Sequence, residues 1–168
     1  DEGFIQDNFC PDVFMSKHAA FLDNAFRSVN EMHDSPKKWL LKYLLVKVIF
    51  QLRPHAQFSS PNAFNIPMED RKIEYIKNRT YAGSIKTALK AIPDLVSEVA
   101  KTVNQGIIDN ARGNQAYKDD VREFISNIKA DVVYFDPPYA GTSAYEDVYH
   151  VLDQILAGQR FPKEKSEF

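Results

Sequence analysis

Residues 131–139 are Asp-Val-Val-Tyr-Phe-Asp-Pro-Pro-Tyr, and this stretch decides both the expected fold and the expected site. The apolar run over 132–135 is short and rich in β-branched and aromatic residues, which is typical of a buried parallel strand. Pro137 and Pro138 end any strand pairing, because neither has a backbone N–H to donate. The stretch is therefore predicted to be a buried strand followed at once by a rigid loop.

A helix is predicted on each side of this strand, over 120–129 and 144–157. The order helix, strand, loop, helix forms an α/β unit. Ligands of open α/β sheets bind beyond the carboxyl ends of the strands, and Asp136 begins the loop at such an end. The sequence therefore places a candidate site at the loop that opens with Asp136.

The four residues of this loop suit chemistry on an exocyclic amine. The lone pair of adenine N6 is delocalised into the ring, so acceptors for its protons are needed to make it nucleophilic. The carboxylate of Asp136 and the carbonyl of Pro137 are two such acceptors, and the prolines hold them in place. The ring of Tyr139 offers a flat surface for an extruded base.

Asp136-Pro137-Pro138-Tyr139 after an apolar strand resembles the catalytic motif of the S-adenosylmethionine-dependent amino-methyltransferases. The wider context is similar to the Dam-type, or D12-class, adenine-N6 DNA methyltransferases, in which the target-recognition region precedes the catalytic motif. The similarity is strong over about 114–150 and loose over 1–113. The expected fold is a helix-rich α/β chain, with a partial Rossmann-like methyltransferase sheet and a mainly helical target-recognition region.

This resemblance implies roles for individual residues. Asp136, Pro137, Pro138 and Tyr139 would be catalytic, and the methyl group of S-adenosylmethionine would pass to adenine N6 by in-line displacement. The stretch 114–124 resembles a family segment whose acidic residue faces the cofactor adenine. That role falls on Asp120, with Asp119 as second choice.

The glycine-rich turn with which the family binds S-adenosylmethionine has no counterpart in this sequence. No two of the six glycines are close enough to form it; they are Gly3, Gly83, Gly106, Gly113, Gly141 and Gly158. The chain also lacks an initiator Met. We therefore expect a fragment without the N-terminal cofactor-binding motif. By itself it would be inactive and would bind the cofactor weakly or not at all.

The net charge of −2 conceals a basic middle segment. Residues 36–90 contain eleven lysines and arginines against three acids. Such a segment suits a polyanionic partner, although a solvated helical surface would have the same composition. With double-stranded DNA as the expected partner, the candidate contacts in and around its polar loops are Arg53, Asn62, Arg71, Lys72 and Arg79.

Helical spacing and proline positions predict the other elements. They are helices over 17–33 with Ser16 as N-cap, 36–52, 69–78, 83–91 and 93–104, a loop over 54–68, and a short strand over 115–118. We expect the tail 158–168 to fray. Trp39 and Tyr43, four residues apart on an apolar helix, are expected in the core.

Several classes of protein are disfavoured by composition. No apolar run approaches the roughly 20 residues that span a bilayer, and the N-terminus lacks a signal-peptide pattern. Cys10 is the only cysteine, and the four histidines lack metal-ligand spacing, so we expect neither disulfide nor metal. A cytoplasmic protein is expected, and an open sheet edge could promote self-association.

The leading hypothesis is a portion of a site-specific DNA methyltransferase, of a restriction-modification or phage type, that modifies adenine N6. Residues 1–113 would form the mainly helical target-recognition region, and 114–168 a partial catalytic unit. Two alternatives stay open. One is an amino-methyltransferase acting on RNA or on protein glutamine, and the other is a non-catalytic DNA-binding fragment.

Overall fold

A computed structural model describes residues 3–52, 89–108, 112–136 and 145–162, with the backbone alone at 145–148. These residues contain helices and irregular segments. The helices are α1 (Phe4–Phe9), α2 (Ser16–Asn30), α3 (Pro36–Leu52), α4 (Ile92–Gln105), α5 (Val121–Asn127) and α6 (Tyr145–Ala157). The expectation of a helix-rich chain is confirmed.

The hydrophobic core lies between the helices of the N-terminal part and α4, with α6 added to it. α1 packs on α2, α2 on α3, and α3 on α4. The fully buried centre of this core includes Phe14, Met15, Leu22, Val48 and Ile49. Burying each of these side chains contributes about 1.5–3 kcal/mol relative to exposure, so this cluster is the main source of stability.

Helix α1 was not predicted from the sequence, because six residues are too short for a periodic pattern. Its first backbone N–H groups are satisfied by a neighbouring helix: Asp23 of α2 accepts from Ile5 N at 2.8 Å and from Gln6 N at 3.0 Å. A Cβ at Gly3 would lie 2.0 Å from Asp23 Cγ, so only glycine leaves room for this carboxylate. Tertiary contact thus replaces local propensity here.

The α2–α3 junction has two capping interactions. Ser35 Oγ accepts from Lys38 N at 3.3 Å at the start of α3. The ammonium of Lys38 donates to the carbonyls of Asn30 and Met32, at 2.9 and 2.8 Å, at the end of α2. Helix α3 has the predicted bounds. Ser16, expected as the N-cap of α2, is already helical, and Met15 occupies the cap position without a side-chain bond.

The C-terminal part returns to the beginning of the chain. Leu152 and Ile155 of α6 are buried in the same core cluster as α1 and α2. Gly158, with a φ of 66°, lies directly after the helix, where a left-handed residue is favoured. Arg160 then contacts Asn8, so the tail expected to fray from 158 is docked at its start. The proposed division at residue 113 stays a prediction.

The expected core positions of Trp39 and Tyr43 are wrong. Trp39 is 58% exposed and Tyr43 is 48% exposed. The core-facing side of α3 carries Leu45, Val48 and Ile49, and the two rings lie on the other side of the helix. Because α3 is apolar on nearly every side, its sequence could not indicate which side faces the core.

The expected strands are not formed within the described residues. Residues 115–118 are irregular, and so is 132–136, where Val132 is 85% exposed and Tyr134 is 86% exposed. A strand needs neighbours to satisfy its backbone, and no described segment pairs with either of these. The apolar character of 132–135 was read correctly, but its burial as a strand was not.

Some expectations lie outside the described residues: the loop over 54–68, the helix over 69–78 and most of the helix over 83–91. Leu89 to Ala91, the end of the last of these, are not helical. Helix α4 begins one residue before the predicted Pro93 and ends one after the predicted end. Among the helices described, none is long and apolar enough to cross a membrane.

Candidate active site

Asp136 lies in an exposed segment, over 131–136, and is among the residues that line a hollow of about 350 Å³ between this segment and α5. The other lining residues are aliphatic or aromatic: Val121, Phe124 and Ile125 from α5, Ile128 directly after it, and Val133, Tyr134 and Phe135 from the segment. The motif residues Pro137, Pro138 and Tyr139 lie outside the described part of the chain.

The chemistry of this hollow follows from its lining. Aromatic and aliphatic side chains contact a flat, weakly polar ligand well, and a few polar groups orient it. The carboxylate of Asp136 at the border can accept hydrogen bonds from an amino group of such a ligand. The arrangement therefore combines an apolar surface with an acceptor for amine protons.

Asp120 is the N-cap of α5 and forms an ion pair with Arg122 in the first turn of that helix. Its Oδ1 accepts from Arg122 N at 2.8 Å, which satisfies a free N–H of the first turn. The guanidinium of Arg122 donates to both carboxylate oxygens, at 3.1 and 2.9 Å. The side chain of Arg122, then its backbone N–H, lowers the pKa of Asp120 below its ordinary value.

Asp119 is the more available of the two predicted cofactor acids. Its Oδ1 accepts from Asp120 N at 3.0 Å, and its side chain is exposed to solvent. Val121, the next residue but one, borders the same hollow as Asp136. In the sequence, Asp119 and Asp120 directly precede α5, and Asp136 lies in the segment that lines the hollow together with this helix.

The predicted DNA contacts all lie outside the described residues: Arg53, Asn62, Arg71, Lys72 and Arg79. Sequence reasoning missed a different exposed group, the aromatic rings of Trp39 and Tyr43 with their lysine neighbours. The absence of any acid from α3 was the available signal.

The family profile of the D12 class N6 adenine-specific DNA methyltransferases matches residues 10–168. The chain belongs to this family. As a D12-class methyltransferase chain, it places its Asp136 motif within the matched region, as the resemblance implied. The match also includes α2, α3, α4 and α6 of the core, which the motif alone could not assign.

Three curated relatives agree with this family. The type II methyltransferase M2.HphI of Haemophilus parahaemolyticus is 25% identical over 163 residues, which are 94% of this chain and 46% of the relative. The modification methylase StsI of Streptococcus sanguinis is 41% identical over 53 residues, 32% of this chain and 8% of the relative. The type II methyltransferase M.NlaIII of Neisseria lactamica is 40% identical over 55 residues, which are 32% of this chain and 16% of the relative.

This D12-class chain therefore spans less than half the length of each of these relatives. No solved structure matches it significantly. Within the described ranges, no group of three or more His, Cys, Asp or Glu side chains is placed to hold a metal ion.

Proposed function

We propose that this chain is the target-recognition and catalytic portion of a site-specific methyltransferase that modifies adenine N6 in double-stranded DNA. The observation that carries the proposal is the Asp136-Pro137-Pro138-Tyr139 motif inside the match to the D12 class over residues 10–168. The named relatives, a modification methylase among them, favour a restriction-modification role. Because the substrate is cellular or phage DNA, the proposed location is the cytoplasm.

The residues of the chain would act on the accepting amine. Asp136 and the Pro137 carbonyl accept the two N6 protons, which localises the nitrogen lone pair and orients it. Tyr139 stacks on the extruded adenine, which must leave the duplex to be reached. Held rigidly, these groups lower the barrier mainly by positioning and electrostatics.

The methyl donor in this proposal is S-adenosylmethionine, but the described residues do not form a complete site for it. The Asp120 carboxylate proposed to contact the cofactor is held by Arg122. The sequence contains no glycine-rich turn either. Asp119, with its exposed carboxylate, is the alternative cofactor contact, and additional polypeptide would have to complete the site.

The segment over 131–135 is proposed to become a strand of the methyltransferase sheet in the complete enzyme. Its exposed apolar side chains and unpaired backbone are suited to pairing with another strand. The same property would favour self-association of the isolated chain. Hydrogen exchange at 132–135, slow in the complete enzyme and fast in this chain, is the expected result.

The decisive experiment is methyl transfer by the complete methyltransferase carrying Asp136→Ala. We expect N6-methyladenine formation to fall by at least about a hundredfold, since an electrostatic stabiliser of the reacting group is removed. Duplex binding should change by less than about threefold, because phosphate contacts dominate affinity. The matched control is Asp131→Ala, an exposed carboxylate five residues upstream.

Retained activity in Asp136→Ala would refute the assignment of this residue. Methylation of RNA or of protein glutamine, with duplex DNA unmodified, would favour the alternative amino-methyltransferase. Salt-dependent duplex binding without any methyl transfer by the complete protein would favour a non-catalytic DNA-binding role.

A further inference from the structure

Helix α3 carries two exposed aromatic rings, one exposed lysine and one half-buried lysine. Trp39 is 58% exposed and Tyr43 is 48% exposed, although large aromatic side chains are usually well buried. Lys42 and Lys47 lie beside them. These four residues are called here the aromatic–lysine face of α3.

The face is set opposite to the packed side of the helix. Tyr43 follows Trp39 by four residues and Lys47 follows Tyr43 by four, so they line one side of α3. Leu45 and Val48 face the core instead. The helix contains four lysines and no acid, so its solvent side has a single sign of charge.

Each lysine is held over a ring. Lys42 Nζ lies 5.2 Å from the centroid of the Trp39 ring, and Lys47 Nζ lies 5.1 Å from that of Tyr43. Cation–π contacts at exposed sites stabilise by about 0.5–1 kcal/mol. The two ammonium groups are therefore partly positioned in advance, which lowers the entropic cost of binding an anion.

The surface next to the aromatic–lysine face is compatible with a bound polyanion. Tyr43 and Lys47 also border a hollow of about 540 Å³ between α3 and α4. The carboxylate of Glu98 lines this hollow, but it forms an ion pair with Lys90 at 2.5 Å. Its charge is therefore largely compensated and does not oppose the lysines.

We infer that the aromatic–lysine face of α3 is a contact surface for duplex DNA, with Lys42 and Lys47 on phosphates and the rings of Trp39 and Tyr43 against the sugar-phosphate edge. The inference rests on the proposed function, in which DNA is the substrate. Charge complementarity selects the occupant, since a surface with positive charge alone attracts a polyanion. This surface adds to the candidate contacts at Arg53, Asn62, Arg71, Lys72 and Arg79.

Trp39 provides a direct test, because it is the only tryptophan of the chain. Its intrinsic fluorescence therefore reports on this face alone. On titration of the full chain with duplex DNA at about 0.1 M salt, Trp39 emission should change saturably, with the same dissociation constant as fluorescence anisotropy of labelled DNA. Quenching by neutral acrylamide should fall when DNA is bound.

Lysine variants test the charge. At about 0.1 M salt one phosphate contact contributes roughly tenfold to affinity, so Lys42→Ala with Lys47→Ala should weaken binding by about a hundredfold. The slope of log K against log salt should decrease in magnitude by about 2. The matched control is Lys17→Ala with Lys101→Ala, two exposed lysines on α2 and α4. Circular dichroism verifies that helicity is kept.

The rings are tested separately by anisotropy. Trp39→Ala should weaken duplex binding several-fold. Its effect on the salt slope should be smaller than that of the lysine variants, because Lys42 keeps its charge and loses only the ring that positions it. Trp39→Phe, which keeps a flat ring, should restore most of the loss.

Three results would overturn the inference. One is duplex binding by anisotropy with unchanged Trp39 emission and quenching. A second is protection of Trp39 that grows with protein concentration without DNA, since a second copy would then cover the face. A third is stronger protection by single-stranded DNA than by duplex. None of these results affects the proposed function. Conversely, a complete protein that binds duplex DNA at this face but transfers no methyl group would refute the proposed function and leave this inference intact.

Discussion

The guanidinium of Arg160 lies 4.7 Å from the centroid of the Phe9 ring, and thereby joins the two ends of the chain. The same group donates to Asn8 Oδ1 at 3.0 Å and to the Asn8 carbonyl at 2.5 Å. Phe9 is buried, so Arg160 covers the edge of the core as well as carrying charge. A residue placed by sequence in a frayed tail is thus part of the folded structure.

Replacing Arg160 tests how much this contact stabilises the fold. Arg160→Ala should lower the free energy of unfolding by about 1–2 kcal/mol, because it removes two hydrogen bonds and a cation–π contact. Urea titration followed by circular dichroism measures the change. Arg160→Lys keeps the charge but loses the planar fork, and should recover less than half. A neutral effect of Arg160→Ala would show that the contacts of Arg160 do not stabilise the fold.

Asp23 and Gly3 should act as one unit in stabilising α1. Asp23→Ala removes the acceptor for two backbone N–H groups and should cost about 1 kcal/mol. Gly3→Ala should cost at least as much, because its Cβ would displace the carboxylate. The double variant should then cost little more than Gly3→Ala alone. Additive losses in thermal unfolding would contradict the coupling.

The pH dependence of Asp120 follows from its ion pair. Arg122 lowers the pKa of Asp120 in the folded chain, so this contribution to stability is present above the ordinary aspartate range. It is lost as pH falls through the lowered folded value. Carboxyl-carbon NMR should show Asp120 titrating below the ordinary aspartate range, and Arg122→Ala should raise the pKa of Asp120 toward that range. An unchanged titration in Arg122→Ala would show that the ion pair is absent in solution.

Cofactor binding by the chain alone should be weak. Without a glycine-rich turn, and with the Asp120 carboxylate held by Arg122, we expect no saturable heat when S-adenosylmethionine is titrated at micromolar concentrations. Isothermal titration calorimetry makes the measurement. Micromolar affinity would show that the cofactor site is complete without that turn. Loss of such affinity in Asp119→Ala, but not in Asp131→Ala, would then locate it.

Local patterns predicted the long helices well because their signals are short-range. Pro36 and the run of apolar residues defined α3, and Pro93 marked the first turn of α4. Asp120 was correctly placed at the start of α5, where a carboxylate accepts from a free N–H. Such signals act within one helical turn, so they need no knowledge of distant neighbours.

For the candidate site, too, the sequence and the structure contributed different parts. The sequence identified Asp136 and its motif, and the structure adds the apolar hollow that Asp136 borders with α5. It also shows that Arg122 holds the carboxylate of Asp120, which residue types alone did not indicate. An ion pair between positions two apart depends on cap geometry, and that geometry exists only once the helix starts at residue 121.

The sequence by itself determined the family, because Asp136-Pro137-Pro138-Tyr139 after an apolar run is a motif of adjacent residues. The catalytic roles of these four residues stay a prediction. Tertiary structure decided which sides of the helices are buried. Trp39 and Tyr43 face solvent because α3 offers apolar residues on every side and α2 and α4 cover only one of them. The segment over 132–135 likewise has the composition of a buried strand, but a strand forms only where neighbouring backbone can pair with it.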